Sequence, residues 1–135
     1  MRIKEILYEL PVLHQQAINE IRLRVGRPVT LHTPTRVDIL KHNGQSVVTE
    51  KQDIEESYRR ICDFSIYSHQ EEIKKGYITI MGGHRVGISG TAVLQQGQIA
   101  TVREISSLNI RVARQVYGAA NELLSRIGQD ISKGL

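Results

Sequence analysis

The sequence predicts an α+β domain, an antiparallel or mixed sheet with helices packed on it. Three observations lead there. Segments with an apolar residue at every second position stand on both sides of a central stretch whose apolar residues recur every three to four. Asn43-Gly44 and Gly82-Gly83 sit between extended segments, where their chemistry favours tight hairpin turns. The chain has 135 residues, 40% hydrophobic and 24% charged, enough to bury one core without disulfides or metals. No repeat or linker divides it, so a single domain over residues 1–135 is expected.

Residues 2–10 and 12–19 read as helices, with Pro11 starting the second or kinking the join. From Glu20 the period becomes two: Ile21, Leu23 and Val25 face one way, and Glu20, Arg22 and Arg24 the other. Val29–His32 resumes extended structure. Val37–Leu40 and Ser46–Val48 read as the arms of a hairpin around Asn43-Gly44. Thr49 opens a helix whose stripe is Ile54, Tyr58, Ile61 and Cys62, with Asp53, Glu55, Glu56, Arg59 and Arg60 on the remaining faces. Ser68 and Glu71 form a capping-box pattern for a short helix that Gly76 ends at its C′ position.

Strands return at Tyr77–Met81 and His84–Leu94. After a turn at Gln95–Gln98 the chain is extended over Ile99–Ile105, and Leu108, Ile110 and Val112 alternate once more. A last helix follows, with Val116, Ala120, Leu123, Leu124 and Ile127 on one stripe and Gly128 at its end.

Several chemistries are missing from this pattern. Met1–Pro11 carries a charge every few residues and lacks the apolar core of a signal peptide, and no apolar run approaches the ~20 residues of a membrane span, so a soluble protein is expected. Cys62 has no partner for an internal disulfide and, on the apolar stripe of its helix, reads as a small buried hydrophobe. The five histidines (His14, His32, His42, His69, His84) have no metal-ligand spacing. No serine or cysteine stands in a nucleophile motif, and Glu55-Glu56 and Glu71-Glu72 diverge around their helices as solvated pairs. No catalytic residue, metal site or resident cofactor is expected.

The charge pattern is more informative. Net charge is +4, and the basic excess lies on the strand segments while residues 49–75 are acidic. Arginine outnumbers lysine twelve to six, a bias toward planar, bidentate contacts with anions or interfaces. Six of the eleven glycines fall between residues 76 and 97, but the patterns G-x-x-x-x-G-K-[ST] and G-x-G-x-x-G are both absent from the chain. These glycines therefore read first as turns, bulges or close backbone approaches, and second as an approach surface for another domain. Arg22, Arg24, Arg27, Arg85, Arg103, Arg111 and Arg114 lie on or beside strands expected to share one sheet. Strand arginines commonly guard edges or face solvent; seven in one small domain raise a functional cluster alongside that plain alternative.

Three blocks carry a resemblance: Glu20-Ile21-Arg22-Leu23-Arg24-Val25-Gly26-Arg27-Pro28, Gly82-Gly83-His84-Arg85-Val86-Gly87-Ile88-Ser89-Gly90, and Ile105-Ser106-Ser107-Leu108-Asn109-Ile110-Arg111-Val112-Ala113-Arg114. In order and spacing they resemble the N-terminal half of the stage III sporulation protein AA family of endospore-forming bacteria, over about residues 5–128. That family is similar to secretion and pilus-retraction ATPases. The resemblance implies a PAS-like N-terminal domain without catalysis of its own, followed in the full-length protein by a P-loop ATPase domain that binds ATP and Mg. It further implies hexameric rings and a place on the mother-cell cytoplasmic side of the channel between mother cell and forespore.

The partners so implied are the ATPase domain of the same or the neighbouring subunit and the channel's membrane proteins, with no stable nucleic-acid partner. The residues carried over are Arg85 and Arg111 as contacts to nucleotide phosphates, and less directly Arg103 and Arg114. Arg22, Arg24, Arg27, Gly87 and Gly90 are the expected approach surface. Two other readings of the same residues stay open: a freestanding interaction or ligand-sensing module, and a weak nucleic-acid binder using the basic strands.

Overall fold

Alternating burial along the strands and one shared set of apolar residues define the architecture. The computed structural model describes residues 2–62, 69–80 and 82–113, without the side chains of residues 100 and 101. The predicted last helix, Arg114 and the capping residue Ser68 lie outside the described residues. The elements are α1 (Arg2–Tyr8), α2 (Val12–Ala17), β1 (Glu20–Arg24), β2 (Thr30–His32), β3 (Val37–Ile39), β4 (Lys41–His42), β5 (Gln45–Ser46), α3 (Lys51–Ile61), α4 (Gln70–Lys74), β6 (Tyr77–Ile80), β7 (His84–Gln95) and β8 (Gln98–Arg111). Six strands form one sheet in the order β3-β2-β1-β8-β7-β6, and every neighbouring pair is antiparallel. The expected α+β class holds, and the sheet is antiparallel rather than mixed.

Ile21, Leu23, Leu31, Ile78, Val86, Ile88, Leu108 and Ile110 project from one side of the sheet into a core shared with Ile3, Ile6 and Leu7 of α1, Ile54, Tyr58 and Ile61 of α3, and Ile73 of α4. Burial of each large aliphatic side chain contributes about 1.5–3 kcal/mol. Among the described residues no helix is long and apolar enough to cross a membrane. Buried Gln15 joins the first two helices, donating its side-chain amide to the Leu10 carbonyl at 2.8 Å and the Tyr8 carbonyl at 3.3 Å, where α1 has run out of partners.

Two expectations change here. The hairpin around Asn43-Gly44 is present, but its arms are only β4 and β5, a separate two-stranded ribbon. Val37–Ile39 instead extends the main sheet as β3, because fully buried Leu40 turns the chain inward: its N–H donates to Val29 and its carbonyl accepts from Val47. Asp53, read on the helix faces outside the apolar stripe, is buried. Glu50, not Thr49, caps α3, and the Asp53 carboxylate accepts the Glu50 N–H at 2.8 Å in a capping box. Arg2 closes the arrangement with a two-pronged ion pair to the same carboxylate, Nε to Oδ1 at 3.2 Å and Nη2 to Oδ2. A carboxylate buried against a cap and a guanidinium is invisible to periodicity. Cys62 is buried, as expected of a small hydrophobe; burial pushes its thiol up to about 11.

β7 and β8 form a long hairpin that is not uniform. Ser89 faces Ser107 and Thr91 faces Arg103, so the single residue Gly90 opposes Glu104, Ile105 and Ser106. Glu104 takes φ +50°, folding β8 over this point. The bulge explains why alternation falters between Ile105 and Leu108 and why the sequence reads as two segments where the structure has one strand. A Cβ on Gly90 would stand 2.8 Å from the Arg103 carbonyl oxygen and 2.9 Å from Ile105 Cα, both rigid backbone atoms. Gly90→Ala is therefore expected to lower stability by about 1–3 kcal/mol, read as a lower urea midpoint at unchanged slope.

Candidate functional site

The sheet's second face has no helix on it among the described elements. Between β3 and β6, alternation places on it Val37 and Ile39 from β3, Thr30 and His32 from β2, Glu20, Arg22 and Arg24 from β1, Ser107, Asn109 and Arg111 from β8, Arg85, Gly87 and Ser89 from β7, and Tyr77 and Thr79 from β6. The inner residues of β1, Ile21 and Leu23, are almost completely buried, which fixes which way the arginines between them point.

Register brings the two arginines singled out from sequence directly opposite one another: Arg85 on β7 faces Arg111 on β8, and Arg111 faces Glu20 on β1. Like charges directly across an antiparallel pair are destabilising. The two guanidiniums are held apart by different partners. Arg111 Nε donates to Glu20 Oε1 at 3.1 Å, while Arg85 lies 4.4 Å from the centroid of the Tyr77 ring, a cation–π contact on the other side. Glu20 Oε2 also accepts from Arg22 Nε at 2.8 Å.

The Glu20 carboxylate thus serves two arginines from two strands. Its partial burial pulls its pKa upward, but the hydrogen bonds from Arg22 and Arg111 prevail and hold it below the ordinary value. His32, hydrogen-bonded to Thr30 at 3.2 Å, is held below its usual value by burial and by the neighbouring charge of Arg22.

The remaining residues divide. Arg24 and Arg27 are exposed at and just beyond the end of β1. Arg103 is exposed but pairs with Thr91 beyond the bulge, away from the Arg85–Arg111 pair. Gly87 lies between Tyr77 and Asn109 in the ladder, and a Cβ there would make only ordinary contact, 3.6 Å from Asn109 Cβ. Gly90 is demanded by its own sheet, as the bulge shows. Sequence reasoning missed Glu20 and Tyr77. The i,i+2 spacing of Glu20 and Arg22 placed both on one face, but the link to Arg111 appears only once β1 and β8 are in register.

Because the pKa of Glu20 is depressed on folding, its ion pairs stabilise the protein above the ordinary carboxylate value of 4.5 and lose that contribution as pH falls through the lowered one. Glu20→Gln is expected to cost about 1 kcal/mol near neutral pH, at the low end because both arginine partners are partly exposed. The gap between wild type and variant should close in acid well below 4.5, as followed by urea denaturation at the two pH values.

Comparison with known proteins places the chain in a family. The sequence profile described as "Sporulation stage III, protein AA" matches residues 1–133. The chain is 38% identical over 127 residues to the stage III sporulation protein AA of Bacillus subtilis (strain 168), covering 94% of this chain and 40% of that protein. It therefore spans about two-fifths of the length of that relative. Among solved structures, the pilus retraction motor PilT with bound ADP overlays with a TM-score of 0.45 at 16% identity, over 84% of this chain and 30% of that one. The Legionella pneumophila ATPase DotB overlays with a TM-score of 0.43 at 13% identity, over 82% of this chain and 28% of that one. On the match over nearly its whole length, the chain belongs to the stage III sporulation protein AA family.

Proposed function

We propose that this chain is the non-catalytic N-terminal domain of a sporulation-specific, secretion-type ATPase, contributing to ring assembly and sensing nucleotide held by the ATPase domain of the same or a neighbouring subunit. The observation that carries the reading is the cross-strand pair of Arg85 and Arg111 on the sheet face opposite the described helices. Arg111 uses only Nε on Glu20, so its terminal nitrogens have no partner among the described residues. Arg85 is held by a ring face, a contact that leaves guanidinium N–H groups at the edge for an anion.

In this reading a terminal phosphate brought to the pair replaces the repulsion between the two guanidiniums with a shared attraction. Charge developing on that phosphate during transfer is stabilised by a planar cation, a contribution on the order of 10³–10⁵ in rate where an arginine completes a site. Strands are suited to the task because a pleated, hydrogen-bonded mount holds the side-chain origin rigidly. ATP and Mg belong to the ATPase domain. Arg22, Arg24, Arg27 and Gly87 form the surface that domain approaches. The assembly acts on the mother-cell cytoplasmic side of the channel to the forespore, with the channel's membrane proteins as further partners.

The test is ATP turnover by the full-length protein carrying Arg85→Ala or Arg111→Ala. Each variant is expected to lose at least about tenfold in turnover, the low end for loss of a charge-assisted contact to the reacting phosphate, with assembly unchanged by light scattering. Wild-type turnover in correctly assembled variants would overturn the reading.

A further inference from the structure

Next to the Arg85–Arg111 pair the same face holds a second feature, a shallow pocket of about 410 Å³ lined by Arg22, Arg24, Gly87, Ser89, Ser107 and Asn109, together with Leu108. Its lining is unusually rich in hydrogen-bond donors left over by the fold. Arg22 uses only Nε, on Glu20, and Arg24 makes no hydrogen bond or ion pair to a described residue. The hydroxyls of Ser89 and Ser107, opposite each other in the ladder, are likewise without a partner among the described residues. The Asn109 amide oxygen is buried and meets no donor there.

The nearest carboxylate, Glu20, is already engaged by Arg22 and Arg111. The lining therefore carries two positive charges and no carboxylate of its own. A larger hollow along the outer face of α3 offers a contrast: its lining carries carboxylates as well as cations, with Arg60 on Glu56 at 3.1 Å and Lys51 on Glu55 at 4.0 Å.

We propose that the Arg22–Arg24–Ser89–Ser107 pocket binds a phosphate group of a small phosphorylated ligand, independently of the Arg85–Arg111 pair. Two guanidiniums and two hydroxyls converge from three adjacent strands, which suits a tetrahedral dianion with several oxygens to satisfy better than a carboxylate with two. Gly87 leaves the floor open: any larger side chain there would fill the space between the arginines of β1 and the serine of β7. A hydroxyl carried by the ligand, or water carried with it, supplies the donor that the Asn109 oxygen lacks. The pocket is built from this chain alone, and because Arg22, Arg24 and Gly87 also lie on the surface proposed to meet the ATPase domain, binding is tested on the chain without that domain.

The experiment is calorimetric titration of the full chain with inorganic phosphate, inorganic pyrophosphate and ribose 5-phosphate at low ionic strength, with circular dichroism confirming the fold of each variant. Saturable binding is expected, and preference among the three probes separates a free-phosphate site from a phosphate-ester site. Arg24→Gln should weaken binding about tenfold or more, the loss of one charge-assisted hydrogen bond. Gly87→Val should abolish it in a folded protein, because the added Cβ makes only ordinary contact with Asn109. The loss from Arg24→Gln should be the same in an Arg85→Gln background, which separates this pocket from the Arg85–Arg111 pair. The proposal is overturned if none of the probes binds saturably, or if Arg24→Gln weakens binding no more than Arg59→Gln on the distant helix α3, which would reveal only general attraction to a basic chain.

Discussion

The pairing of β1 with β8 is the contact on which the rest of this molecule depends. The first strand and the last lie side by side from Glu20↔Arg111 to Arg24↔Ser107, joining the N-terminal meander β1–β3 to the C-terminal group β6–β8. Without it there would be two three-stranded antiparallel pieces, and the helices would have no continuous apolar floor to cover. With it, Ile21 and Leu23 meet Leu108 and Ile110 in one layer, and the helices have a continuous floor. The Val112 N–H extends the seam to the Asn19 carbonyl, and the Ala113 N–H donates to Nδ1 of fully buried His84 at 2.9 Å, which ties the exit of β8 to the start of β7.

The same seam writes the electrostatics of the open face. Because side chains alternate, a register that buries the four aliphatic residues has no freedom left in where the arginines go. It sets Arg111 between a carboxylate on one side and another arginine on the other. Glu20 offsets part of the crowding, Tyr77 part of the remainder, and the donors left over look outward. A surface of this kind is under-satisfied rather than self-neutralised, unlike the outer face of α3, where opposite charges meet within one helix.

Much of this was legible in the sequence wherever period and turn chemistry act locally. The alternation of Ile21 and Leu23 with Arg22 and Arg24, the stripe of α3, and the turns at Asn43-Gly44 and Gly82-Gly83 each follow from neighbours a few residues apart. Both turn glycines at 82 and 83 adopt positive φ, 97° and 82°, as such a turn demands. What was not legible depended on partners far along the chain. The burial of Asp53 could not be read locally because its guanidinium comes from Arg2, fifty-one positions away. Glu20 looked like an ordinary outward carboxylate because Arg111 stands ninety-one positions away. Val37–Ile39 looked like a hairpin arm because nothing local says that Leu40 will be drawn inward. The arginines themselves were visible as a cluster, and their spacing on strands was right, but which of them face each other is a property of register alone.

The bulge at Gly90 has a consequence of its own. Inside it, β7 and β8 are locked between β6 and β1; beyond it, from Thr91 to Arg103, their ladder bonds run only to each other. The hairpin is thus two units joined at one irregularity, and the outer one, tied to the core through Val102, has fewer anchors than the inner one. Amide protons of the outer ribbon should exchange through local fraying, while those between β1 and β8 wait for global unfolding. The length of the ribbon is then free to drift among relatives, whereas the arginine face cannot shift by a single residue without turning itself inside out.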